Sequence, residues 1–220
     1  MRSLRPSRLR AKEPGLPPGA LVHVGEQKLE ETKLTLFEYG PESARETEPD
    51  SADSCRRCLD GPGVAWLNLA GLHDVGVIEQ MGEIFGLHPL LLEDVLNTGQ
   101  RPKLEDYDER LFLVVKTLHY DEAARELSAE QISLVLLRNC VLSFQEIEDD
   151  PFGPLRERIR TGKGRVRARG ADYLAYALLD AVVDHYFVVL EKVGDDIEEL
   201  GERAVSDPSP EVLGRIQALK

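Results

Sequence analysis

Cysteine is scarce in this sequence. Cys55, Cys58 and Cys140 are its only three, an odd number with nothing resembling a secretory signal ahead of them. That argues against a disulfide framework and fits a reducing compartment. Cys55 and Cys58 have the spacing of half a zinc or redox site, but no second Cys or His pair follows at ligand distance. Their surroundings read as polar loop. Basic residues are also in short supply: 27 Lys and Arg face 40 Asp and Glu, a net charge of −13. Such a chain repels phosphate backbones and gathers cations at its surface, which argues against nucleic acid as a partner. Long apolar runs are missing too. The longest, Leu174 to Leu190, is interrupted by Asp180, Asp184 and His185, whereas a bilayer span requires about 20 apolar residues in a row. No Ser/His/Asp or Cys/His arrangement offers a nucleophile with its base. Gly162 and Gly164 stand beside Lys163, Arg165, Arg167 and Arg169, but without the glycine spacing and following Lys-Ser or Lys-Thr of a phosphate loop. That turn reads as a solvated basic loop facing acidic helices.

What is present suffices for one good-sized core with an appended helical unit: 220 residues, 42% of them hydrophobic. Residues 1–19 open with Arg2, Arg5, Arg8, Arg10 and Lys12 and read as a basic, mobile arm. Residues 20–170 read as an α/β domain. In it, Leu21 to Val24 and Lys33 to Tyr39 are expected strands that can pair as a hairpin, and 41–63 is a surface loop with one short helical turn. Val64 to Leu69, around the only Trp, is a buried strand. Asp74 caps a helix that buries Val75, Ile78, Met81, Ile84 and Phe85 and stops near Gly86. Strands follow at Leu111 to Leu118, Gln131 to Leu137 and Cys140 to Gln145, the last two split only by Arg138-Asn139, as in a tight hairpin. The expected sheet is mixed, partly antiparallel, and covered by helices on both faces. Pro151 to Arg160 completes the domain as a helix.

Residues 171–206 read as one helix of roughly 50 Å at 1.5 Å per residue. At about 100° per residue, Leu178, Leu179, Val182, Tyr186, Val189, Leu190, Val193, Ile197 and Leu200 gather on one side. Asp180, Asp184, Glu191, Asp195, Glu198 and Glu202 gather on the other as an acidic stripe with few Lys or Arg to offset it. Asp180 and Asp184 stand one turn apart, where they can share a hydrated ion. Ser209-Pro210 starts a further helix within residues 207–220, and the sequence stops inside it. The expectation is a piece of a longer protein.

The rest is organised around a short helix that takes Pro89 in its first turn. Leu90, Leu91 and Leu92 are expected to bury it, and Glu93 and Asp94 offer two adjacent carboxylates to a hard cation. The run His88-Pro89-Leu90-Leu91-Leu92-Glu93-Asp94-Val95-Leu96-Asn97, followed by Gln100-Arg101-Pro102-Lys103, resembles the signature of the cytoplasmic domain of CorA-type magnesium transporters. Glu130-Gln131-Ile132-Ser133, Asn139 to Glu146, and Ala171-Asp172-Tyr173-Leu174 onward to Leu190-Glu191 continue the likeness. The resemblance implies an α/β/α sandwich followed by long acidic helices leading into a stalk helix. It further implies a pentamer on the cytoplasmic side of the cell (inner) membrane, with transmembrane helices and a Gly-Met-Asn pore loop that do not occur in these 220 residues. It implies regulation by Mg²⁺, with Co²⁺ and other divalent cations as alternatives, bound between protomers to hold the channel closed. The matching ligands are Asp94, paired with a carboxylate of a neighbour's stalk helix, and Glu93 with Asp180 in a second site; Asp184 joins them by its spacing. A zinc-transporting relative, a soluble metal-dependent enzyme and a metal-free acidic scaffold are the competing readings. His88 as a ligand would favour zinc, but a histidine at a helix start bonded to nearby backbone is the simpler reading; His119 and His185 stand equally alone.

Overall fold

Residues 15–107 and 110–218 are described by a computed structural model of the chain. The basic arm expected over Met1 to Lys12 lies outside them. Seven strands form one sheet: β1 (Lys33–Tyr39), β2 (Ala44–Thr47), β3 (Val64–Ala70), β4 (Lys103–Tyr107), β5 (Arg110–Asp121), β6 (Glu126–Leu136) and β7 (Cys140–Gln145). Their spatial order is β2-β1-β3-β7-β6-β5-β4. Only the central β3–β7 pair is parallel; every other pairing is antiparallel. This centre explains the near-continuous apolar character of β3 and β7, which are covered on both faces.

Among the described residues there are also five α-helices: α1 (Val75–Phe85), α2 (Pro89–Leu96), α3 (Gly153–Thr161), α4 (Ala171–Ser206) and α5 (Pro210–Ala218). On one face of the sheet, α1, α2 and a 3-10 segment (Ala52–Leu59) enclose Leu36, Leu67, Met81, Leu91, Val95 and Phe112. On the other, α3 and the first half of α4 enclose Phe37, Trp66, Phe152, Leu155, Leu174, Leu178 and Val182. Trp66 stacks on Phe37, with ring centroids 5.3 Å apart, and donates its indole N–H to Ser143 Oγ at 2.8 Å. The architecture is the mixed α/β sandwich expected, with long helices after it.

Several local expectations are corrected. Leu21 to Val24 is not a strand: Val24 makes a single parallel bridge to Asn97, and β1 pairs instead with β2 and β3. The loop over 41–63 has its expected short helical turn in the 3-10 segment, but it also contains β2, and Cys55 and Cys58 are buried in the first core rather than loop-exposed. The edge strand β4 was not foreseen, because Lys-Leu-Glu-Asp-Tyr carries little strand propensity and is held by its ladder to β5. Leu90 is 42% exposed while Leu91 and Leu92 turn inward. Along α4, Leu190 and Ile197 are 60% and 53% exposed. The buried face runs through Leu174, Leu178, Val182, Val189 and Leu200, so the apolar side read as one stripe is divided in two. One window of α4 is long and apolar enough, by length and composition alone, to cross a membrane; its inner face packs on the sheet. The basic turn after α3 is partly a helix cap: Arg167 donates to the carbonyls of Ile159 and Arg160, each at 2.6 Å.

Candidate metal-ion site

α2 is placed by its own ends. Gly86 adopts φ 63°, the left-handed conformation that stops α1, and Leu87 N–H returns to Gly82 O at 2.9 Å. His88 then caps α2, its Nδ1 accepting from Leu90 N–H at 3.2 Å, with Pro89 as first helical residue. That hydrogen bond occupies the ring as a cap, as the simpler reading of His88 holds. With Leu91, Leu92, Val95 and Leu96 directed into the core, Glu93 and Asp94 fall on the helix flank, half-buried.

Neither carboxylate is idle. Glu93 Oε2 accepts the Gly19 N–H at 2.7 Å, tying the incoming N-terminal segment to α2. Asp94 Oδ2 stands 2.6 Å from Lys103 Nζ, and Asp94 Oδ1 accepts from the Gln100 side chain. Lys103 Nζ also reaches Glu105 Oε1 at 2.9 Å, and Glu105 Oε2 accepts from Tyr107 OH at 3.1 Å. Burial pulls the Lys103 ammonium toward its neutral form, but the hydrogen bonds to Asp94 and Glu105 outweigh it and its pKa ends above the usual value. The hydrogen bond from Lys103 holds Glu105 below the usual carboxylate range. Gln100 and Lys103 thus act on Asp94, a role that the motif signalled only by their proximity.

The second pair lies elsewhere. Asp180 is half-buried on α4 and accepts from Tyr176 OH at 3.4 Å; Asp184, one turn on, is exposed. Since α2 packs on one face of the sheet and this part of α4 on the other, a single chain does not bring Glu93 and Asp94 together with Asp180 and Asp184. Among the described residues, no group of three or more His, Cys, Asp or Glu side chains could hold a metal ion.

A polar cluster that sequence reading missed lies beside α2, on β6 and just past the end of β7. Lys28 Nζ lies 2.8 Å from Glu130 and 2.9 Å from Glu146, both carboxylates nearly buried. Glu146 Oε1 accepts Gln131 N–H at 2.8 Å, and the Gln131 amide reaches back to the Asp94 carbonyl at 3.1 Å. Of the Glu130-Gln131 pair singled out by resemblance, Gln131 therefore ties α2 to the sheet. His119 Nε2 is 3.5 Å from Glu130, an ion-pair distance though long for a hydrogen bond, and its ring lies 6.2 Å from that of His185 on α4. The Glu130 contact raises the pKa of His119.

A family profile described as CorA-like Mg²⁺ transporter protein matches residues 62–220. The chain is 45% identical over 213 residues to the cobalt/magnesium transport protein CorA of Thermotoga maritima, covering 97% of this chain and 60% of that protein. It is 27% identical over 146 residues to the putative metal ion transporter YfjQ of Bacillus subtilis, covering 66% and 44% respectively. The soluble domain of CorA from Methanocaldococcus jannaschii superposes with a TM-score of 0.64 at 17% identity, covering 84% of this chain and 70% of that one. The full-length CmaX protein superposes with a TM-score of 0.66 at 16% identity, covering 88% and 61%. At such identities the structural likeness speaks for the fold. The chain spans about 60% of the length of the Thermotoga relative.

Proposed function

Because this chain belongs to the family of CorA-like Mg²⁺ transporter proteins, we propose that it is the cytoplasmic, ion-sensing part of a divalent-cation transporter, taking Mg²⁺ or Co²⁺ as regulating ion. The family is one of transporters rather than enzymes, so the metal-dependent hydrolase reading is set aside. In this proposal Asp94 and Glu93 of one protomer, and Asp180 with Asp184 of its neighbour, bind ions between copies and hold the channel closed. Asp94 takes its second carboxylate from the stalk helix of a neighbouring protomer. The assembly sits on the cytoplasmic side of the cell (inner) membrane.

The observation that carries this reading is the placement of the two carboxylate pairs on opposite faces of one sheet. Two different patches, front and back, favour head-to-tail contacts, and such contacts close into rings when the rotation allows it. A cyclic oligomer such as a pentamer is the assembly that this reading proposes. Mg²⁺ dehydrates reluctantly and is usually held by one or two carboxylates with waters retained, so an open, half-buried site suits it better than a cage. When the ion leaves, apposed carboxylates repel, and the balance between arrangements shifts.

Sedimentation velocity and thermal melting with and without about 10 mM Mg²⁺ test the proposal, alongside Asp94→Ala and Asp180→Ala. Mg²⁺ is expected to raise the melting temperature or drive association in the parent chain and in neither variant. A parent chain indifferent to Mg²⁺ in both measurements would overturn ion binding by Asp94 and Asp180 without the stalk carboxylate, and would leave the family membership standing.

A further inference from the structure

We propose that Lys103 is a built-in competitor for the divalent ion: its ammonium occupies Asp94 when no ion is bound, and yields to Glu105 when one arrives. This rests on the reading of Asp94 as an ion ligand and assigns to a second residue the setting of that site's threshold.

The geometry is that of a cation with two destinations. Lys103 Nζ stands 2.6 Å from Asp94 Oδ2 and 2.9 Å from Glu105 Oε1, with the face of Phe112 at 5.7 Å. An ion bound to Asp94 Oδ2 at the oxygen distance of Mg²⁺, about 2.0–2.1 Å, lies too near the ammonium for both to stay. Like charges at that range, in a half-buried setting, repel strongly. Lys103 does not have to go into solvent, because Glu105 and the Phe112 ring keep it supplied with a carboxylate and a π face. Tyr107 OH, 3.1 Å from the other Glu105 oxygen, holds that acceptor in place. Gln100, bonded to Asp94 Oδ1, fixes the rotamer that presents Oδ2.

The arrangement also sorts ions by charge. A monovalent cation offers Asp94 no more charge than the ammonium already does, while a divalent ion does. Lys103 therefore keeps the site closed to K⁺ and Na⁺ and open to divalent ions only above a concentration that the exchange sets.

Thermal melting of the whole chain across an MgCl₂ series at constant ionic strength, with KCl making up the balance, tests this in the parent, Lys103→Met, Lys103→Arg and Lys103→Met/Asp94→Asn. Without Mg²⁺, Lys103→Met is expected to melt below the parent. Mg²⁺ should close the gap with a half-point about tenfold lower than the parent's. Lys103→Arg is expected to keep the parent's half-point, and the double variant to lose the Asp94-dependent response. Equal half-points in the parent and Lys103→Met overturn the role of Lys103 and leave Asp94 as a ligand. An Mg²⁺ response that survives unchanged in Lys103→Met/Asp94→Asn, or its absence from every chain, overturns both.

Discussion

Single side chains in this protein are tuned mostly by burial. Desolvation pushes the Cys58 thiol up to about 12 and raises those of Cys55 and Cys140, and the thiolate is the reactive form. All three are therefore expected to resist a thiol reagent such as DTNB in the native chain and to react together in urea; rapid native labelling of Cys55 or Cys58 would contradict their burial. Lys28 holds two nearly buried carboxylates, so Lys28→Met is expected to cost about 3 kcal/mol in urea unfolding, since it leaves Glu146 without its cation and Glu130 with His119 alone. The His119–Glu130 contact makes a pH window. His119 has a raised native pKa, so its contribution is full below its ordinary 6.5 and fades as pH rises through the native value. Burial raises the pKa of Glu130, but the contacts with His119 and Lys28 outweigh it and leave it lowered. Its contribution is present above the ordinary 4.5 and fades as pH falls through the native value. The stability difference between parent and His119→Gln should therefore be largest between pH 4.5 and 6.5 and shrink above. A difference that grows toward pH 8 would count against the pairing.

Among the elements, α4 carries the sharpest contrast. Its sheet-facing side is packed at Leu178, and its outer side leaves Leu190 60% exposed. Leu178→Ala is expected to cost about 2–5 kcal/mol in denaturant melts, and Leu190→Ala no more than about 0.5. Comparable losses at the two would mean that the outer stripe is buried in solution. In α1, a Cβ at Gly82 would run into the buried Leu92 side chain of α2. Close approach there sets the position of the helix that carries Glu93 and Asp94.

For the molecule as a whole, the placement of two carboxylate pairs on opposite faces of the sheet is the decisive feature. If Glu93 of one copy and Asp180 of the next share an ion, Glu93→Ala and Asp180→Ala chains each lose every such contact when alone. Mixed with Mg²⁺, they retain one intact contact per unlike pair. Sedimentation of the mixture is then expected to show heterodimers without larger rings. Larger assemblies from the mixture, or none in it when the parent associates, would argue against a head-to-tail contact through these residues.

Much of this was readable from local pattern. The Asp74 cap, the Gly86 stop, Pro89 at the start of α2, the tight turn closed by Leu137 N–H on Cys140 O and the helical period of α4 depend on near neighbours, and each occurs where the pattern puts it. The motifs around Glu93-Asp94, Glu130-Gln131 and Asn139 marked the family. What eluded the sequence depends on distant partners. β2 and β4 are edge strands whose few residues are held by ladders to β1 and β5, not by propensity. An apolar side of a helix does not say which part of it meets a sheet, so Leu190 and Ile197 share that side with Leu178 and yet stay exposed. Nor does a one-dimensional pattern say that Lys103, nine residues on, returns to Asp94, or that a sheet stands between Asp94 and Asp180. Periodicity fixes faces relative to their own helix axis; only the packing of elements far apart in the chain fixes which face meets what.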